Sequence, residues 1–205
     1  MFDSRLRPLI DGPLNVLADV LHRAGVPANS LTILGLVLGL GAAGAIVAGW
    51  FGAALALVAL NRLADGVDGP LARKRGATDL GGYYDIVFDF LFYGAVPLAF
   101  ALHDPAANAL AGAVLLASFY ANGATFLAFA AVAAKQGRTT EAQGKKSIYY
   151  FAGLAEGAET ILVFVLMCAW PAAFSVLAFA FAALCFVSAG ARILMVRDLL
   201  RAPPG

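Results

Sequence analysis

The sequence predicts an all-α integral membrane protein: six transmembrane helices in one bundle, preceded by a short cytoplasmic interfacial amphipathic helix. Of the 205 residues, 61% are hydrophobic and only 13% are charged, whereas soluble domains carry about 25% charged residues. The apolar residues form runs long enough for spanning helices, which need about 20 residues each. The basic residues all fall at one end of these runs. Composition and patterning together exclude a soluble fold.

The spans follow from the lengths of the apolar runs. Residues 31–61 carry no charge, and one helix of that length would extend about 46 Å, well beyond a hydrocarbon core of about 30 Å. We therefore expect a turn near Trp50 and, in the run 160–191, another near Trp170. A further turn is expected at His103-Asp104-Pro105. The predicted helices cover residues 31–49, 52–75, 81–102, 106–134, 148–169 and 173–198.

The distribution of charge predicts the orientation. With these spans, all 14 Lys and Arg lie on one side, and cytoplasmic segments carry such an excess. Both termini are therefore predicted to be cytoplasmic, in a multi-pass protein of a bacterial inner membrane. No apolar signal-peptide core occurs in the first 30 residues, so no signal peptide is expected. Residues 1–205 form a single membrane domain, with an interfacial segment at 1–30 and the bundle at 31–200.

The N-terminal segment has the pattern of a surface helix. Asp11 is a plausible cap, with Pro13 in the first turn. An apolar stripe follows, which suits a helix lying in the cytoplasmic interface or, alternatively, one packed on the ends of the bundle. Its members are Leu14, Leu17, Val20 and Leu21. Cys168 and Cys185 lie inside apolar runs and are expected to be core thiols rather than a disulfide.

Five aspartates fall within residues 65–89, DGVDGPLARKRGATDLGGYYDIVFD. At 3.6 residues per turn, four of them form stripes on two successive helices. Two antiparallel helices joined by a short loop would bring these four carboxylates together. Asp79 fits neither stripe and is expected to be a solvated loop residue or a helix cap. The stripes are Asp65, Asp68, Ala72 and Arg73 on the first helix, and Gly81, Asp85 and Asp89 on the second.

Four clustered carboxylates repel one another unless cations bind between them. Oxygen ligands without Cys or His point to Mg²⁺, Mn²⁺ or Ca²⁺ rather than zinc, and a metal pair can assist displacement at phosphorus. Arg73 could pair with a phosphate oxygen. In the alternative interpretation, the aspartates are interfacial carboxylates paired with Arg62, Arg73, Lys74 and Arg75. Space for a ligand is left by small residues: Gly66, Gly69, Ala72, Gly81 and Gly82.

Together, the residues of the two stripes resemble the sequence signature of a known family. Asp65-x-x-Asp68-Gly69-x-x-Ala72-Arg73, followed by Gly81-x-x-x-Asp85-x-x-x-Asp89, resembles the signature of the CDP-alcohol phosphotransferases. That family usually has eight residues between the Arg and the Gly, and this chain has seven. The six-helix plan and residues 26–32 extend the resemblance to most of the chain.

The resemblance implies a phospholipid-biosynthesis enzyme that transfers a substituted phosphate, commonly phosphatidyl, from a CDP-linked donor such as CDP-diacylglycerol to an acceptor alcohol, releasing CMP. It implies two Mg²⁺ or Mn²⁺ ions on Asp65, Asp68, Asp85 and Asp89, with Asp89 also the catalytic base. It implies a homodimer whose partners are a lipid donor, a small alcohol or lipid acceptor and membrane lipids; no nucleic acid is expected. The implied donor contacts are Asn29, Ser30, Gly69, Ala72, Arg73, Thr78 and Gly81.

Glu156 and Glu159 are expected inside the fifth helix, where unpaired carboxylates are costly. They either pair with polar neighbours or line the acceptor cavity, and in the latter case they favour a neutral or amine-bearing acceptor. The spacing Gly39-x-Gly41-x-x-Gly44 is typical of close helix packing rather than of dinucleotide binding, because no strand precedes it.

Two other functions remain open. A cation- or proton-coupled transporter could use the aspartates as its ion path, although such sites usually lie near the bilayer midplane and these aspartates are at one end of their helices. The other is a non-catalytic family member acting as a scaffold, which the presence of all four aspartates disfavours.

Overall fold

The structure, a computed structural model, describes residues 3–136 and 157–201. Within these ranges the chain is almost entirely helical and contains no strand. A 3-10 turn at Pro171–Ala173 precedes the last helix. The helices are α1 Asp3–Arg23, α2 Ala28–Val47, α3 Phe51–Arg75, α4 Asp79–His103, α5 Pro105–Lys135, α6 Gly157–Ala169 and α7 Phe174–Arg201.

Four of these segments are long and apolar enough to cross a membrane, namely α2, α4, α5 and Pro171–Arg201. α6 is a shorter apolar helix. α3 has sufficient length, but Arg62 lies next to its midpoint, and Asp65, Asp68 and its basic last turn lie in its second half. The protein is therefore an all-helical integral membrane protein, and the count of six spans stays a prediction.

The predicted turns match the helix ends. α2 ends at Val47 and α3 begins at Phe51. Gly49 adopts a φ of +76° in this turn, a conformation that residues with a side chain rarely adopt. At the next turn, the Asp104 side chain accepts a hydrogen bond from Ala107 N at 3.1 Å and so caps α5.

Aromatic rings pack the apolar interior between the helices. Phe100 stacks on Phe174 at 4.4 Å between ring centroids, and Phe92 meets Phe164 edge-on at 5.8 Å. All four rings are buried. In the same apolar core, Cys168 and Cys185 are buried free thiols, as predicted.

α1 packs on the second half of α3. Ala18 is fully buried against Val67 and Leu71. Among the described residues, Lys74 Nζ lies 2.7 Å from Asp19 Oδ1. This hydrogen bond lowers the pKa of the Asp19 carboxyl. The contacts match the alternative of a helix packed on the bundle ends, and an interfacial role stays a prediction.

One detail predicted for α1 was wrong. The helix begins at Asp3, so Asp11 lies inside it and is not its cap. Pro13 is then internal, where it lacks an N–H to donate and its ring crowds the carbonyl of the preceding turn, and the contacts with α3 stabilise the helix beyond it. Val20 of the apolar stripe is 57% exposed.

Candidate functional site

The four aspartates of the two stripes line one narrow cavity between α2, α3 and α4. Its volume is about 10 Å³, close to the minimum for one water molecule. The helices bring these residues together as predicted, because the short connection after Arg75 sets α3 and α4 side by side. The lining residues are Thr32, Gly35, Leu36, Asn61, Arg62, Asp65, Asp68, Asp85, Phe88 and Asp89. We call this the aspartate cavity.

A larger cavity of about 430 Å³ adjoins the aspartate cavity. Thr32, Asp68 and Asp85 line both. Ser30, also predicted to contact the donor, is exposed and does not line it. The predicted donor-contact residues that do line it are Asn29, Gly69, Ala72, Arg73, Thr78 and Gly81. We call this the outer cavity.

Hydrogen bonds fix the rim between the two cavities. Thr32 Oγ1 donates to Asp68 Oδ2 at 2.9 Å, which joins α2 to α3. Thr78 Oγ1 accepts from Gly81 N at 3.1 Å and caps α4. Asp79 is therefore the first residue of α4 rather than its cap. A Cβ atom on Gly81 would lie 3.1 Å from Asn29 Oδ1, so glycine allows the starts of α2 and α4 to approach.

Arg62 is the site residue whose position the sequence did not reveal. Its Nη2 lies 3.0 Å from Asp89 Oδ1 and its Nη1 lies 3.4 Å from Asp65 Oδ2. The sequence placed it only among the bases that would pair with interfacial carboxylates. Its spacing of three residues before Asp65 was the available signal. The alternative of ion-paired aspartates thus holds for two of the four.

The donor atoms around the aspartate cavity suit Mg²⁺ or Mn²⁺, since they are carboxylate and hydroxyl oxygens. In the part of the chain that the structure describes, however, no three Asp, Glu, His or Cys side chains already form a metal-ligand group. Asp65 and Asp89 face a guanidinium instead. The residues fit the ions chemically, and the metal site stays a prediction.

The outer cavity is lined by charges of both signs, with Asp68 and Asp85 where it adjoins the aspartate cavity and two arginines elsewhere. Arg73 and Arg75 line it together with Gly69, Gly76 and Gly82. Arginine guanidinium groups bind phosphate oxygens in two-pronged geometry. The cavity can therefore accept a phosphate-bearing ligand with its anionic part against α3.

The predicted acceptor residues are only partly placed. Glu156 lies outside the described residues. Glu159 lies in the first turn of α6 and lines neither the aspartate cavity nor the outer cavity. A Cβ atom on Gly157 would lie 3.3 Å from the Tyr93 hydroxyl, so α6 begins beside α4 one turn beyond Asp89.

Comparisons with known proteins identify the family and a similar fold. The sequence model of the family described as CDP-alcohol phosphatidyltransferase matches residues 26–196. Over 193 residues the chain is 47% identical to the inner membrane protein YnjF of Escherichia coli K12, covering 94% of each chain. The fold is similar to that of the Mycobacterium tuberculosis phosphatidylinositol phosphate synthase PgsA1 with CDP-DAG bound. That likeness has a TM-score of 0.66 and 22% identity, and it covers 88% of this chain and 91% of the other.

Proposed function

The chain belongs to the CDP-alcohol phosphatidyltransferase family, and we propose that it transfers a phosphatidyl group from CDP-diacylglycerol to the hydroxyl of an acceptor alcohol in phospholipid biosynthesis. The observation that carries this proposal is the junction of the two cavities. Residues expected to hold the nucleotide line the outer cavity, and Asp68 and Asp85 connect it to the aspartate cavity. A CDP-linked lipid in the outer cavity would thus have its pyrophosphate beside the aspartates.

The reaction needs a base, a phosphorus centre and a leaving group. The acceptor oxygen attacks the phosphatidyl phosphorus, its proton passes to Asp89, and the bond from that phosphorus to the CMP oxygen breaks. CMP leaves with the bonding electron pair. Asp89 lines the aspartate cavity but not the outer cavity. This supports a base role toward an acceptor that approaches from the side opposite the donor.

Metal ions suit the remaining aspartates. Two Mg²⁺ or Mn²⁺ ions held by Asp65, Asp68, Asp85 and Asp89 would neutralise charge on the pyrophosphate and on the departing CMP. Thr32 holds Asp68 in orientation through its 2.9 Å hydrogen bond. Arg73, on the wall of the outer cavity, would bind a phosphate oxygen of the nucleotide. Asn29, Gly69, Ala72, Thr78 and Gly81 would complete the nucleotide pocket, with Ser30 at its outer margin.

The membrane arrangement belongs to the same proposal. The similarity to an inner membrane protein supports a bacterial inner membrane location, and the side that holds all the bases supports an active site facing the cytoplasm. Six spans, an interfacial α1 and a homodimer complete the arrangement, with dimerisation inferred by analogy with the family. Glu159, with Glu156, is proposed to lie near a neutral or amine-bearing acceptor.

One assay tests the reaction. Protein purified in detergent is incubated with labelled CDP-diacylglycerol and Mn²⁺, and CMP release is measured with serine, glycerol 3-phosphate, inositol phosphate, choline and phosphatidylglycerol. We expect acceptor-dependent CMP release that is lost in Asp89→Asn. Equal CMP release by both proteins with every acceptor would refute the proposal. Uptake of a cation into vesicles that contain no CDP-linked lipid would favour the transporter instead.

A further inference from the structure

Arg62 joins the two stripes of aspartates. Its two terminal nitrogens reach one carboxylate on each helix, Asp65 on α3 and Asp89 on α4. The Arg62 side chain is 20% exposed, whereas those of Asp65 and Asp89 are 35% and 30% exposed. The guanidinium is thus the more buried partner in both ion pairs, and it lies between the carboxylates rather than at their edge.

Further contacts hold this guanidinium in place. Its Nε donates to Asn61 Oδ1 at 2.7 Å, and Asn61 Nδ2 donates to the Gly35 carbonyl of α2 at 2.7 Å. Asn61 is buried. The guanidinium carbon also lies 5.1 Å from the ring centroid of Phe92 and 5.9 Å from that of Tyr93, within the range of cation–π attraction. Contacts from three helices therefore form a specific binding position for one positive charge.

The small size of the aspartate cavity makes the position of the Arg62 guanidinium important for metal binding. With Arg62 in place, the cavity has a volume of about 10 Å³, near the minimum for one water molecule. Magnesium-like ions usually retain several waters of coordination. A divalent cation that binds Asp65 and Asp89 through the oxygens that Arg62 contacts displaces the guanidinium, and one that binds through their other oxygens is repelled by that charge.

We propose that Arg62 is a resident counter-cation that competes with divalent ions for Asp65 and Asp89 and so sets the metal concentration at which the site fills. The proposal rests on the metal role given to the aspartates under the proposed function. Arg62 acts through these carboxylates and is a positioning residue. On metal binding, the faces of Phe92 and Tyr93 can keep the displaced guanidinium beside the site.

Metal binding without any substrate tests the proposal. The full chain in detergent is titrated with Mn²⁺, and unbound Mn²⁺ is measured by electron paramagnetic resonance. Because a positive charge next to the ion is removed, Arg62→Gln should bind Mn²⁺ about 10-fold more tightly than wild type. A variant that merely disturbed the packing would bind Mn²⁺ more weakly, so the direction of the change separates the two explanations.

A second variant and a control complete the experiment. Arg62→Lys keeps a charge but lacks the two-pronged group that bridges both carboxylates, so its affinity should lie between those of wild type and Arg62→Gln. It also provides the test if Arg62→Gln does not fold. Lys74→Gln is the control, because it removes a positive charge from the same helix but Lys74 pairs with Asp19. The Mn²⁺ affinity of this variant should match that of wild type.

Thermal unfolding supplies an independent readout. In EDTA, Arg62→Gln should melt below wild type because Asp65 and Asp89 lose their shared counter-charge, and saturating Mn²⁺ should remove that difference. Equal or weaker Mn²⁺ binding by both Arg62 variants would overturn the proposal while leaving the metal site intact. Absence of Mn²⁺ binding by every protein would overturn both the proposal and the metal role of the aspartates.

Discussion

Glycines in the apolar interior and glycines beside the outer cavity leave space of different kinds. A Cβ atom on Gly39 would lie 2.7 Å from the buried ring of Phe92, and one on Gly112 would lie 3.1 Å from the Pro97 carbonyl oxygen. A Cβ atom on Gly82 would meet nothing within 4 Å. At Gly39 and Gly112 a neighbouring group fills the space that glycine leaves, whereas at Gly82, beside the outer cavity, that space stays open.

The difference separates stability from function. Helices in lipid associate through close packing, since the surrounding chains are as apolar as the helix faces. The interior is therefore where substitutions should lower stability. The charged end, formed by the start of α2, residues 61–75 of α3 and residues 79–89 of α4, holds carboxylates that repel one another. Substitutions there should affect activity far more than folding.

The largest effect is expected for Asp85→Asn. We expect CMP release to fall about 100-fold or more, since a ligand of the proposed metal ions is lost. In EDTA the melting temperature should be unchanged or higher, because within the described ranges Asp85 makes no ion pair and one of four like charges is removed. CMP release and thermal unfolding in detergent are the measurements.

Asp79→Asn is the matched control for this variant. Asp79 lies only six residues away, in the first turn of α4, and lines neither cavity. Its activity should stay close to wild type. Equal activity losses in the two variants, or a marked fall in the melting temperature of Asp85→Asn, would contradict the separation of stability from function.

Gly39→Ala should show the opposite behaviour. Overpacking against Phe92 is expected to lower stability by about 1–3 kcal/mol. The added Cβ would also lie 3.2 Å from Asn61 Nδ2, beside Arg62, so CMP release per folded molecule should fall, but far less than in Asp85→Asn. Thermal unfolding compared with Gly44→Ala is the measurement. A Cβ atom on Gly44 meets nothing within 4 Å, and alanine favours a helix over glycine, so Gly44→Ala should melt at or slightly above wild type. Equal melting of the two variants would show that Phe92 moves aside.

Helical periodicity explains which parts of the site were predictable. The four aspartates of the stripes line one cavity, because a period of 3.6 residues fixes which side chains share a face. Asn29 and Gly69, which the resemblance implied as donor contacts, line the outer cavity. Periodicity does not specify which face of a neighbouring helix is met. The contact of Arg62 with Asp89 depends on how α4 is rotated against α3, and no local pattern gives that rotation.

Helix ends were predicted less well where local and tertiary signals disagree. Thr78 was expected to contact the donor, and its hydroxyl also caps α4, a role that its position before Asp79 could have indicated. In α1, the local sequence around Asp11 suggested a helix start, yet the helix continues through it. Packing of Ala18 on α3 stabilises the helix in a way that a local reading cannot anticipate.

Gly69→Ala tests the open space beside the outer cavity. The added Cβ would lie 3.5 Å from Arg73 Nη1, an ordinary contact, so the melting temperature should not fall. The methyl group would project where we propose the nucleotide binds, and one such group changes substrate discrimination by roughly 10-fold. We expect a higher KM for CDP-diacylglycerol with a smaller change in kcat. An unchanged KM would indicate that the nucleotide does not bind against Gly69.

The smallest effect is expected at the contact of α1 with the charged end. Asp19→Asn removes the ion pair with Lys74 and leaves Ala18 packed, so activity should be unchanged. Amide hydrogen exchange in α1 should be faster than in wild type, with α4 as the internal reference.

The pH dependence of this difference tests its cause. Because Lys74 lowers the pKa of Asp19, the ion pair stabilises α1 above the ordinary carboxyl pKa, and this stabilisation is lost as pH falls through the lowered value. Wild type and variant should therefore converge at acid pH. A difference in the exchange rate of α1 that persists at acid pH would show that the introduced side-chain amide, rather than the lost charge, causes the effect.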